Sequence, residues 1–223
     1  MTSYTACIFD FDGTLADSSE CAVVATQRAF LSHGLPVPGS EAIIRYMGVP
    51  IERSFPEMLS DTPHDVPHAE LFQTFRRIYA EEASLSLKLF PNISDVLLSL
   101  STRSIKIGIA TSKKSSVALD NCRGLGIDGY INVVVGSDNV GNFKPHPESV
   151  LLLLTRWSCP TDSALMIGDS TYDIEMGNNA GIDTCAVLWG AHSEAELRAV
   201  EPDYLASQPL DLLEIVYTGK RHG

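Results

Sequence analysis

Hydrophobic and polar positions along this chain follow two alternating rhythms. Short apolar runs at Ala6 to Phe11, Ile105 to Ala110, Ile131 to Val135, Ala164 to Ile167 and Thr184 to Leu188 have the length and character of buried strands. Between most of them apolar residues recur at helical spacing, over Ile93 to Leu100, Ser115 to Cys122, Glu148 to Trp157 and Asp173 to Ala180. Such alternation predicts the α/β class, with a Rossmann-like parallel sheet flanked by helices. One interval departs from it. From Ala16 to about Leu87 the pattern is helical throughout, with no convincing strand. A first helix can be capped by Asp17 or Ser18 and ends near Gly34. A second can be capped by Ser40 and ends at Gly48, and a third carries the stripe Leu71, Phe72, Phe75, Ile78 and Tyr79. The chain therefore reads as an α/β core built from residues 1–15 and 88–223, with a helical insertion at 16–87.

Composition narrows the class. With 223 residues, 44% hydrophobic and 20% charged, the chain can bury a core without disulfides or a structural metal. Its five cysteines are scattered and form no C-x-x-C pair, which fits reduced thiols and a cytoplasmic setting; Cys7 and Cys185 lie in apolar runs and read as core. No apolar run is long enough for a membrane span, and Met1-Thr2-Ser3-Tyr4 lacks the basic start of a signal peptide. The net charge of −12 excludes nucleic acid, whose phosphates call for Lys and Arg. An anionic substrate would need a local positive feature.

Four polar clusters supply candidates for that feature, each at the end of a predicted strand. They are Asp10-Phe11-Asp12-Gly13-Thr14, Thr111-Ser112, Lys144-Pro145, and Gly168-Asp169-Ser170 followed by Asp173. Parallel strands end on a common edge, so all four converge on one crevice. Carboxylates crowded there repel one another unless a cation is bound, and hard oxygen ligands suit Mg²⁺. The metal, Lys144 and backbone N–H groups near Gly13 and Ser112 would make the crevice locally positive. One carboxylate aimed at a phosphorus is an aspartyl-phosphate nucleophile, and a second two residues later can protonate the leaving oxygen and then activate water.

At these residues the sequence resembles the haloacid-dehalogenase-like hydrolases. Asp10-Phe11-Asp12-Gly13-Thr14-Leu15, Thr111-Ser112-Lys113, Lys144-Pro145-His146-Pro147-Glu148 and Gly168-Asp169-Ser170-x-x-Asp173 are similar to that family's ordered motifs, and nearest to its phosphoglycolate-phosphatase-like branch. The resemblance implies Asp10 as nucleophile and Asp12 as general acid/base. It implies Mg²⁺ bound by Asp10, the Asp12 carbonyl oxygen and Asp169, with Asp173 ligating or orienting a bound water. Thr111 and Lys144 would hold phosphoryl oxygens. The insertion corresponds to the family's mobile cap, and Asp12 points to phosphoryl transfer, since the family's dehalogenases lack it. Gly177 and Asn178 stand where the family commonly has small alanines.

The implied activity is hydrolysis of small phosphorylated metabolites, with 2-phosphoglycolate the first candidate, by a monomer or homodimer acting on no nucleic acid and no membrane. A phosphomutase of the β-phosphoglucomutase kind would share every core motif. A silent regulatory module would be expected to have lost Asp10 or Asp12. In the insertion, Arg45 and Arg53 flank the turn Gly48-Val49-Pro50, and a cap arginine there could fork onto a substrate carboxylate. Three other features read as structural. Gly124-Leu125-Gly126-Ile127-Asp128-Gly129 matches a dinucleotide fingerprint in letters but follows a helix instead of a strand. His64 and His68 have metal-ligand spacing but are interrupted by Pro67, and Lys113 and Lys114 read as solvated.

Overall fold

The computed structural model describes residues 4–219; residues 1–3 and 220–223, the extremes of the two core segments expected above, lie outside the described residues. Six parallel strands form the central sheet: β1 (Ala6–Phe9), β4 (Lys106–Ala110), β5 (Val133–Val135), β6 (Ala164–Gly168), β7 (Asp183–Val187) and β8 (Tyr204–Ala206). They lie in the order β5-β4-β1-β6-β7-β8. From β1 the chain steps outward through β4 to β5, and from β6 it steps the other way through β7 to β8. The switch point therefore falls between β1 and β6, where open α/β sheets leave a crevice beyond the strand ends.

Side chains of the central strands alternate between two apolar layers. Cys7 and Phe9 of β1, with Leu165 and Ile167 of β6, face α5 (Ile93–Thr102) and α10 (Asp211–Thr218). Ala6 and Ile8, with Ala164 and Met166, face α7 (Glu148–Trp157) and α8 (Thr171–Ala180). Strands buried on both faces read as unbroken apolar runs, which is why they are visible in the sequence. Gly177, where an alanine is common in the family it resembles, lies on α8 against the sheet. A Cβ there would come within 2.5 Å of Thr184 and 2.9 Å of Met166. Among the cysteines, all of them free, four are buried. The helix α6 (Ser115–Gly124) precedes the Gly-rich segment at 124–129, and Gly126 takes a positive φ in a turn.

Between β1 and β4 the chain makes α1 (Ser19–Ser32), α2 (Ser40–Arg45), α3 (Ile51–Met58) and α4 (His68–Ser86). These helices have their own apolar centre, in which Phe30, Phe55 and Phe75 meet edge-to-face at centroid distances of 5.1 and 5.2 Å. The expectation of no strand in this interval fails at its first two residues. Ala16–Asp17 (β2) and Lys88–Leu89 (β3) pair antiparallel, tying the chain entering the helices to the chain leaving them. The expected strand at Ile131 is shorter than its apolar run. The backbone of Asn132 donates to Ile107 and its side-chain oxygen accepts from the Ile107 N–H at 2.7 Å, replacing a ladder bond with a side chain.

Candidate functional site

Asp10 directly follows β1 and Asp169 directly follows β6, so the two flank the switch point. Asp173 lies in the first turn of α8, where its Oδ2 accepts from the Ser170 N–H and hydroxyl in a capping box. One carboxylate oxygen from each of Asp10, Asp169 and Asp173 lies within 4.8 Å of the other two, and all three residues are buried. Lys144, 6% exposed, reaches into this group and donates to Asp10 Oδ1 and Asp173 Oδ1, each at 2.6 Å.

Asp169 is held on both sides. Its Oδ1 accepts from the Thr14 hydroxyl at 2.7 Å and its Oδ2 from the Ala191 N–H at 2.8 Å. Glycine is required beside it: a Cβ on Gly13, whose φ is +82°, would lie 2.1 Å from Asp169 Oδ2, and one on Gly190 would lie 2.2 Å from its Cβ. The Gly13 N–H donates to the Ala16 carbonyl, so what this residue contributes is close approach.

Three carboxylates around one ammonium leave the cluster with excess negative charge. Burial pushes the Asp10 carboxyl well up; Lys144 pulls against the rise, while Asp173, Asp169 and Asp12 add to it. Burial, then Asp173, raises Asp169 to about 7. Burial alone would lower Lys144, but Asp10 and Asp173 outweigh it and hold the ammonium charged. Such a set of buried oxygen donors, underneutralised by its own lysine, fits a hard divalent cation.

Asp12 has a different environment. Its Oδ1 accepts from the Ser18 hydroxyl at 2.5 Å and pairs with Lys113, which also donates to the Tyr79 hydroxyl at 2.8 Å. The Lys113 side chain is only 15% exposed, so the expectation that it is solvated is corrected. Burial would lower its ammonium, but Asp12 and Tyr79 together raise it. Ser18 is the N-cap of α1, yet its hydroxyl bonds Asp12 and makes no cap bond. Sequence alone gives Ser18 and Tyr79 no chemical role, and gives Thr14 and Lys113 none beyond their places in the first cluster and the second motif. A charged residue adjoining Thr111-Ser112 and a serine six residues past Asp12 were the available signals.

Thr111 is buried, and its hydroxyl accepts from the Lys113 N–H at 3.2 Å. The Ser112 hydroxyl donates to the Gly48 carbonyl of the inserted helices at 2.6 Å. Gly48 thereby sits over the crevice at φ +90°, and a Cβ there would lie 3.1 Å from Ser170 Oγ. Asp10, Asp12, Gly48, Thr111 and Ser112 line one cavity under the inserted helices. The two candidate arginines do not line it. Arg45 is exposed, and Arg53 pairs with Glu57 at 2.9 Å and faces an outer groove beside Pro145. Arg76 of α4 is the arginine that does line the cavity.

Known proteins resemble this chain over most of its length. Residues 7–187 match the family model described as haloacid dehalogenase-like hydrolase. The chain is 32% identical to the pyrophosphatase PpaX of Bacillus pumilus, covering 94% of each chain. It is 31% identical to a phosphoglycolate phosphatase of Salmonella choleraesuis, over 92% of this chain and 89% of that one. The solved structure of a haloacid dehalogenase-like family hydrolase from Streptococcus pneumoniae superposes with a TM-score of 0.84 at 33% identity, covering 96% of this chain and 99% of that one.

Proposed function

The chain belongs to the haloacid dehalogenase-like hydrolases, and on that premise we propose that it is a Mg²⁺-dependent phosphatase that hydrolyses small phosphate monoesters through a phosphoryl group carried on Asp10. The observation that carries this reading is the meeting of Asp10, Asp169 and Asp173 around Lys144 at the switch point of the sheet. Mg²⁺ held by Asp10, Asp169, Asp173 and the Asp12 carbonyl would supply, when bound, the positive charge that lets a phosphate dianion approach carboxylates.

The residues then divide the work. The Asp10 carboxylate attacks phosphorus and the bond to the leaving oxygen breaks, while Asp12 gives that oxygen its proton. Asp12 next takes a proton from water as the water attacks phosphorus, releasing inorganic phosphate and restoring Asp10. Ser18 and Lys113 hold the Asp12 carboxyl in place for both transfers. Lys144 works against the burial and the neighbouring carboxylates that disfavour a charged Asp10, and Thr111 and Ser112 receive the phosphoryl oxygens. We read residues 16–87 as a cap that excludes bulk water from the crevice and limits substrate size. The names of the relatives put 2-phosphoglycolate and pyrophosphate in the first substrate panel.

Asp12→Asn and Asp10→Asn test the assignment. p-Nitrophenyl phosphate carries a good leaving group, so Asp12→Asn should still phosphorylate Asp10 and then stall. Rapid mixing with Mg²⁺ should release about one nitrophenolate per site before a slow steady state. Asp10→Asn should show no burst; a burst retained by Asp10→Asn would falsify the role given to that residue.

A further inference from the structure

Between the inserted helices and the strand edge lies a cavity of about 180 Å³, open to solvent on one side, over the carboxylates. Asp10, Asp12 and Thr111 line its catalytic end. Its walls include Met47 and Val49 of the turn after α2, Ile51, Phe55 and Met58 of α3, and Phe75 of α4. A phosphoryl group seated against Asp10 would place the rest of its substrate among these apolar side chains.

Two of the three cations among the described lining residues are already engaged. Lys113 pairs with Asp12, and Arg76 pairs with Glu52. Among the described lining residues the other cation is Lys114, which is exposed. A substrate carboxylate placed among the apolar walls would therefore lose water without meeting an unengaged cation there, and an unpaired buried charge is costly. An apolar body gains from the same walls. Cavities of about 150 Å³ lined by aliphatic and aromatic side chains are known to hold a benzene-sized molecule.

Resting on the phosphatase reading above, we propose that this site selects phosphate monoesters whose leaving group is an uncharged apolar alcohol, about the size of a benzene ring or a five-carbon chain. Carboxylate-bearing phosphates of similar length are poor substrates by comparison. The arginine on the cavity wall is withheld from them by its pairing with Glu52.

The test is kcat/KM of the Mg²⁺-loaded enzyme, by phosphate release, for methyl through pentyl phosphate and for 2-phosphoglycolate. Straight-chain alkanols leave with nearly equal ease, so the series isolates burial of the chain. Each added methylene should raise kcat/KM by about fourfold until the cavity is filled. 2-Phosphoglycolate should fall at least about tenfold below propyl phosphate. Phosphate release with a flat or falling series, or with 2-phosphoglycolate equal to or above propyl phosphate, overturns the inference alone. No release from any compound overturns the phosphatase reading and the inference with it. Glu52→Gln, at an exposed position, should free Arg76 and raise the ratio of 2-phosphoglycolate to propyl phosphate by about tenfold or more. An unchanged or lower ratio overturns the role given to that pair.

Discussion

Removing metal from this protein should make its stability depend on pH in a specific direction. Asp169 is buried and its carboxyl is raised from the ordinary 3.8 to about 7, by burial first and then by Asp173. Between those values the folded chain keeps a proton that the unfolded chain has released. Folded protein then binds more protons than unfolded, so the metal-free protein loses stability as pH rises through that window. At 1.36 kcal/mol per pKa unit the full loss is about 4 kcal/mol. Asp10 is raised as well and acts in the same direction. At about 2–4 °C per kcal/mol for a chain of this size, the Tm in chelator should fall by about 8–16 °C across the window. A bound divalent cation replaces the proton, so saturating Mg²⁺ should raise Tm more at pH 8 than at pH 5, where it must displace the proton first. Thermal unfolding by circular dichroism, in chelator and in Mg²⁺ at both pH values, measures all four quantities. Asp169→Asn removes the titrating group and should flatten the slope in chelator. A Tm in chelator that is constant or rises from pH 5 to pH 8, or an equal Mg²⁺ gain at both, would refute the reasoning.

Three further outcomes follow from individual contacts. Lys113→Met should remove the partner that fixes Asp12, lowering kcat by about 10- to 100-fold for alkyl phosphates and much less for p-nitrophenyl phosphate, whose leaving group needs little protonation. Equal losses on both substrates would count against a role through Asp12. Gly13→Ala should abolish activity and weaken metal binding in calorimetry, because the new Cβ would lie 2.1 Å from Asp169 Oδ2; wild-type Mg²⁺ affinity would contradict that packing. Phe55→Ala should cost about 3–5 kcal/mol in chemical denaturation, since the ring is buried against Phe30 and Phe75; a loss under 1 kcal/mol would mean the inserted helices do not depend on this centre.

What the sequence discloses depends on whether a residue's task constrains its type and spacing at once. The strands of the central sheet are buried on both faces, and that burial alone writes an apolar run into the chain. Asp10 and Asp169 directly follow such runs, Asp173 stands four residues past Asp169, and Lys144 lies in the loop between β5 and α7, on the strand edge where an α/β sheet gathers its ligands, so their convergence is legible before any coordinates. Strands of two or three residues, and a short helix with proline inside it, are not. Strand β8 has three residues, and helix α3 has eight with Pro56 inside it, a residue that reads as a break. The paired residues of β2 and β3 are two each, too few to alternate. Side-chain partnerships across the helical insertion are harder still. A helix stripe places Tyr79 on a buried face without saying that its hydroxyl meets Lys113, and an isolated lysine reads as solvated until a carboxylate is found beside it. Arg45 and Arg53 lie near the right turn in sequence but do not line the cavity, whereas Arg76 reaches it from a helix more than twenty residues later. The catalytic end is written in local motifs because one strand edge assembles it. The cavity walls above it come from the turn after α2, from α3 and from α4, and their meeting depends on how the inserted helices pack.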